Sequence, residues 1–136
     1  MNDAVNYFNN GYTCSQAIVK TFKNEFNIDE KILEAISYGF GGGMGKSGNI
    51  CGAVSGGIMV IGMRNMNEKK DIVYKKVNKF ISEFKKINGE TSCTKLLEFS
   101  NELSEEEEKN KFKKKICTNC IKSTVELLNS QLILTK

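Results

Sequence analysis

Proline is absent from all 136 residues, so nothing in the chain locks φ or deletes a backbone donor inside a helix. With Lys, Glu, Asn, Ile and Leu abundant, this favours long uninterrupted helices over a turn-rich sheet. The length is that of one ordinary domain with one hydrophobic core, so residues 1–136 are read as a single unit. Forty per cent apolar and 26% charged residues suit a globular chain that buries a core rather than a disordered one. The expectation is an all-α, compact single-domain bundle of about six to eight helices.

Periodicity and caps place the elements. Asn2 to Asn10 reads as a short helix stopped by Gly11, a residue suited to the left-handed position after a helix. Thr13 and Gln16 form a capping box that makes Cys14 the first residue of a second helix, running to about Asn27 with Ala17, Ile18, Phe22 and Phe26 at helical spacing. Asp29 caps a third, with Ile32, Leu33 and Ile36, ending near Gly39. From Glu68 a long amphipathic helix carries Ile72, Val73, Val77, Phe80, Ile81, Phe84 and Ile87 and ends at Gly89. Thr91 or Ser92 caps a shorter helix with Cys93 in its first turn. Ser104 and Glu107 repeat the capping-box signal ahead of an acidic turn, Glu105 to Glu108, and a basic run, Lys109 to Lys115. The last helix covers Cys117 to about Leu132.

Ten of the twelve glycines lie between Gly39 and Gly62. Gly39 to Gly48 is too glycine-dense for regular structure and reads as a loop. From there a small, apolar helix capped by Asn49 or Ser47 runs to about Arg64, buried at the centre of the bundle. Ile50 to Met63 is 14 uncharged residues, short of the roughly 20 a bilayer needs, so the chain is not expected to span a membrane. The Gly48, Gly52, Gly56 spacing lets a helix or a cofactor approach the backbone closely. Gly41, Gly42, Gly43, Gly45 and Gly52 are the candidate cofactor-binding positions, either as a nest for a small anion beside Lys46 or as tight backbone passage over a cysteine site. Gly45-Lys46-Ser47 does not complete a phosphate loop, because Phe40 stands where that pattern requires glycine.

The composition removes several function classes. The chain has no His and no Trp, so catalysis through imidazole, His-rich zinc sites and axial-His haem ligation are excluded. Of 20 basic residues against 16 acidic ones, only Arg64 is arginine, and Lys109 to Lys115 interleaves only Phe112. Nucleic acid is therefore not an expected partner, since bidentate base contacts and stacking platforms are missing. The basic run suits a solvated surface or a docking patch for an acidic electron-transfer partner. Met1 to Val5 shows no secretion signal, so the cytoplasm is the expected compartment, and a homodimer is expected on general frequency.

Five cysteines in a reducing compartment point to metal or redox chemistry before a disulfide framework. Cys14, Cys51 and Cys93 fall in first turns of predicted helices, and Cys117 near another, where free amides and the helix dipole favour a thiolate. Cys120, three residues after Cys117, suits core or chemistry equally.

Asn10-Gly11-Tyr12-Thr13-Cys14-Ser15-Gln16-Ala17, Phe40-Gly41-Gly42-Gly43-Met44-Gly45 and Cys51-Gly52-Ala53-Val54-Ser55-Gly56 resemble the C_GCAxxG_C_C family of redox-active proteins. The resemblance spans nearly the whole chain. Its CGAxxG motif falls on Cys51, Gly52, Ala53 and Gly56, and its other cysteines on Cys14, Cys93 and Cys117; Cys120 lies outside the pattern. It implies a redox role with an unidentified partner. Some relatives carry c-type haem, but Cys117-Thr118-Asn119-Cys120-Ile121 lacks the His needed, so no haem is expected.

Two chemistries fit the four thiols. All four can meet on an iron–sulfur cluster, or on tetrahedral zinc, and the cluster is the leading expectation because four separated thiolates match its valence. Cys120 is a further candidate ligand. Alternatively, Cys14 and Cys51 form a reversible dithiol with Cys93 and Cys117 as relay, making the protein an oxidoreductase. A non-catalytic interaction module is the third class.

Overall fold

The computed structural model describes residues 2–130. They form an all-α fold of seven helices: α1 Asn2–Asn9, α2 Cys14–Thr21, α3 Glu30–Tyr38, α4 Gly52–Arg64, α5 Lys70–Asn88, α6 Cys93–Leu96 and α7 Glu106–Leu128. Short 3-10 turns follow α2 at Lys23–Glu25 and α6 at Glu98–Glu102. The expected punctuation acts where sequence placed it: Gly11 and Gly89 take φ of 98° and 88°, and the Asp29 side chain accepts the Lys31 N–H.

Helix α4 is the central element, packed against α2, α5 and α7. Its residues are small because its neighbours come close. A Cβ on Gly56 would lie 2.9 Å from the Ile18 Cβ of α2, and one on Gly57 2.5 Å from the fully buried Phe80 ring of α5. Ala53, Val54, Val60 and Ile61 then fill the space to Ile18, Val19, Phe84, Ile121 and Val125 in one core.

Several boundaries differ from expectation. Helix α2 ends at Thr21 rather than near Asn27, though Phe22 stays buried beyond it. In α3 only Leu33 of the three apolar residues is buried; Ile32 and Ile36 are each 52% exposed. The acidic turn, the basic run and the last predicted helix fuse into one 23-residue α7. No Gly or Pro separates them, so propagation of good helix formers simply continues. Its N-cap is Glu105, without a side-chain cap, instead of Ser104, and Glu106, Glu107 and Glu108 sit at the positive end of the dipole. It stops at Leu128; Leu132 lies outside the described residues.

Lys20, which helical spacing places on the polar side of α2, is only 3% exposed. Its ammonium bonds Glu30 and Glu34 of α3 at 2.7 Å each and lies 5.1 and 4.5 Å from the Tyr7 and Tyr12 ring centroids. Burial works against the charge, but the two carboxylates outweigh it and raise the pKa. Lys20→Met leaves both carboxylates without this partner and is expected to destabilise by about 2 kcal/mol, both being partly exposed. The check is a lower denaturation midpoint at unchanged slope; an unmoved midpoint contradicts it.

Candidate redox site

Each cysteine is brought to the site by a different backbone device. Cys14 is the first residue of α2, where the Thr13 hydroxyl accepts the Gln16 N–H and the Gln16 side chain accepts the Thr13 N–H. Cys51 is itself the N-cap of α4, in place of Asn49 or Ser47. Its N–H donates to the Thr91 carbonyl at 2.8 Å, and the Cys93 N–H donates to the Asn49 carbonyl at 2.6 Å. With the antiparallel bridge between Ile50 and Ser92, these bonds clip residues 49–51 to residues 91–93. Ser92 caps α6, so Cys93 is its first residue. Cys117 and Cys120 lie deep within α7, three apart on one side. Cys117 is therefore not at a helix start, contrary to expectation, and no helix dipole acts on it as at a first turn.

All five are free thiols; Cys14, Cys51 and Cys120 are buried, Cys93 and Cys117 half-buried. Their ionisation is linked most strongly within two pairs, Cys14 with Cys117 and Cys51 with Cys120. In each pair one thiol is pushed up and the other down. The interaction with Cys120 chiefly lowers Cys51 to about 7, against a burial penalty, and the Ala53 and Val54 amides at the start of α4 lower it further. The same interaction, with burial and the neighbouring charges, raises Cys120. The interaction with Cys14 lowers Cys117, and the same interaction and burial raise Cys14. Cys93 is raised by burial and then by the charges of Cys51 and Cys117, with Lys113 opposing. Each of Cys14, Cys51, Cys93, Cys117 and Cys120 thus has another cysteine among the groups that shift its titration.

The glycine segment forms a structure of its own. Gly42, Gly43, Met44, Gly45 and Lys46 all have φ between 62° and 70°, a left-handed turn instead of an irregular loop. Such a run costs an L residue roughly 1–2 kcal/mol per position, which explains why three of the five are glycine. Of the candidate cofactor-binding glycines, two stand against cysteines and a third against the Thr13 cap. A Cβ on Gly43 would sit 2.7 Å from the Cys93 Cβ, one on Gly52 3.2 Å from the Cys14 Cβ, and one on Gly41 2.7 Å from the Thr13 Cβ. Gly42 lies under the Lys46 side chain, and Gly45 meets only the Gly39 carbonyl, at 3.9 Å.

Residues 12–131 match the model of the family C_GCAxxG_C_C, described as “Putative redox-active protein”. The chain belongs to that family. No curated protein and no solved structure matches the chain. The C_GCAxxG_C_C motif has a direct physical reading here: Cys51 caps α4, Gly52 and Gly56 lie one turn apart against α2, and Ala53 is fully buried between them. Any side chain at Gly52 would press on Cys14, so the motif's glycine is what lets α2 and α4 bring their cysteines together. Among the described residues, no group of three or more Cys, Asp or Glu is disposed to hold a metal ion, and no helix is long and apolar enough to cross a membrane.

Proposed function

We propose that this member of the redox-active family works as a two-pair thiol/disulfide centre, with Cys51 and Cys120 as one couple and Cys14 and Cys117 as the other. What supports the reading is that the strongest mutual influence falls within each couple, one thiol being favoured as thiolate and its partner as thiol. A thiolate beside a protonated thiol is the reduced form of an exchange-competent dithiol. Oxidation of a couple, one thiolate and one thiol, forms one S–S bond and releases two electrons and one proton to an acceptor. These couples are preferred to the Cys14 and Cys51 dithiol expected from sequence because the largest influence on each of those two residues comes from a cysteine of α7.

A second reading, an iron–sulfur cluster on Cys14, Cys51, Cys93 and Cys117, has one observation in its favour: the titrating neighbours of these thiols are sulfur and lysine, without imidazole or carboxylate. The donor chemistry suits such a group, whereas the pairwise placement does not, and zinc on the same thiols meets the same objection.

Anaerobic purification followed by metal analysis and thiol titration separates the readings. The dithiol centre gives five titratable thiols, loses two with the first equivalent of a two-electron oxidant and two more with the second. Stoichiometric iron and inorganic sulfide, or bound zinc, with the thiols protected from titration, overturns it.

A further inference from the structure

Cys93, half-buried like Cys117, lines a cleft of about 520 Å³. Lys46, Thr94, Asn101 and, from α7, Asn110 and Lys113 line it with Cys93. Among the described residues no carboxylate lines it, so two ammonium groups face the cleft without an acidic neighbour in its wall. Both lysines are placed by structure already described. Lys46 ends the left-handed turn and folds its stem back over Gly42, and Lys113 stands one helical turn before Cys117 on α7. The cleft therefore joins a thiol, two cations and uncharged hydrogen-bonding groups in a volume that fits a small molecule.

Resting on the dithiol reading, we propose that this cleft takes a low-molecular-weight disulfide bearing carboxylates, with Cys93 as the thiol that opens it and Lys46 and Lys113 as the charges that hold its carboxylates. Cys93 attacks one substrate sulfur and gives up its proton to the leaving group; a Cys93–substrate disulfide forms, the substrate S–S bond breaks, and the first product leaves as a thiol. Cys117, whose charge acts on Cys93, attacks the Cys93 sulfur and expels the second product thiolate. Cys14, linked most strongly to Cys117, then attacks Cys117, restoring Cys93 and leaving a Cys14–Cys117 disulfide. One substrate disulfide becomes one thiol and one thiolate: the Cys93 proton goes to the first product, the second leaves as a thiolate, and the Cys14 proton replaces the one lost by Cys93. Cys93 thus carries exchange between the cleft and the inner couple.

Pre-reduced protein mixed with glutathione disulfide, with neutral bis(2-hydroxyethyl) disulfide and with cationic cystamine tests this. Thiol loss is followed in time and adducts are mapped by mass spectrometry after acid quench. Glutathione disulfide is expected to react about tenfold faster than cystamine at low salt, with the preference shrinking as salt is raised. The doubly substituted Lys46→Gln, Lys113→Gln protein is expected to lose that preference, its rate with glutathione disulfide falling well below the smaller drop with the neutral disulfide that loss of the Lys113 charge beside Cys93 brings. Cys117→Ser is expected to trap the glutathione adduct on Cys93. Equal rates for the three disulfides, or adducts on other cysteines with Cys93 untouched, overturn the cleft while leaving the inner couples standing. Failure of the inner couples shows separately, as no protein disulfide with any of the three probes.

Discussion

Cys120→Ala is expected to raise the Cys51 pKa from about 7 by one unit or more, cutting its thiolate fraction near neutral pH about tenfold. The interaction with Cys120 is the largest influence favouring the Cys51 thiolate, and burial, which opposes it, remains after the substitution. The sign is fixed by the thiolate being the reactive form: reactivity of Cys51 rises with pH through about 7 in the wild type and through a higher value in the variant. Cys120→Ser separates two roles of the same residue. The serine hydroxyl still donates to the Cys51 thiolate, so the titration stays near its wild-type position, but no disulfide to Cys51 can form. Thiolate ultraviolet absorbance against pH, taken as the difference from Cys51→Ser, reads the shift without requiring a reagent to reach a buried sulfur. An alanine variant that titrates with the wild type contradicts the pairing.

Gly43→Ala is the second substitution expected to have a large effect, costing about 3 kcal/mol from two additive sources. Its φ of 69° penalises any L residue, and the new methyl would meet the Cys93 Cβ at 2.7 Å and the Asn49 backbone at 2.8 and 2.9 Å. The Asn49 carbonyl accepts the Cys93 N–H in the clip and the Asn49 N–H donates to the Gly43 carbonyl, so relief of the clash is expected to displace Cys93. Gly45→Ala shares the left-handed conformation but meets only the Gly39 carbonyl, at 3.9 Å. It is expected to cost about 1 kcal/mol, the conformational part alone. Denaturant unfolding of both variants checks the difference; equal losses would mean that the contact with Cys93 and Asn49 contributes nothing.

The fold was legible in the sequence where local chemistry decides structure. The Thr13 and Gln16 box, the Asp29 cap, the apolar stripe through Phe80 and Phe84, and the Gly89 stop are all interactions within a few residues, and each stands where the pattern put it. The run from Glu105 to Cys117 was misread as separate pieces because its charge changes sign, although charge pattern does not end a helix while good helix formers continue. Lys20 was misplaced because its burial depends on Glu30, Glu34, Tyr7 and Tyr12, and their meeting is set by packing of α1 to α3.

The candidate site was half legible. First-turn positions correctly singled out Cys14 and Cys93, and Cys51 was found one step away from its true place as the cap. The pairing itself was not readable, since it depends on how α7 lies across α2 and α4. The spacing of Cys117 and Cys120 carried the missing signal: a second cysteine three residues on places two thiols on one helix side, ready to meet two other helices. The left-handed turn at Gly42 to Lys46 was likewise hidden, because glycine density shows that unusual conformations are permitted without saying which is adopted.

Disulfide mapping of the protein after mild anaerobic oxidation by two equivalents of a two-electron oxidant tests the central claim most directly. The account predicts peptides joined Cys51 to Cys120 and Cys14 to Cys117, with Cys93 recovered as a free thiol. Oxidation that joins Cys14 to Cys51, or that leaves all five thiols unlinked around stoichiometric iron, contradicts it.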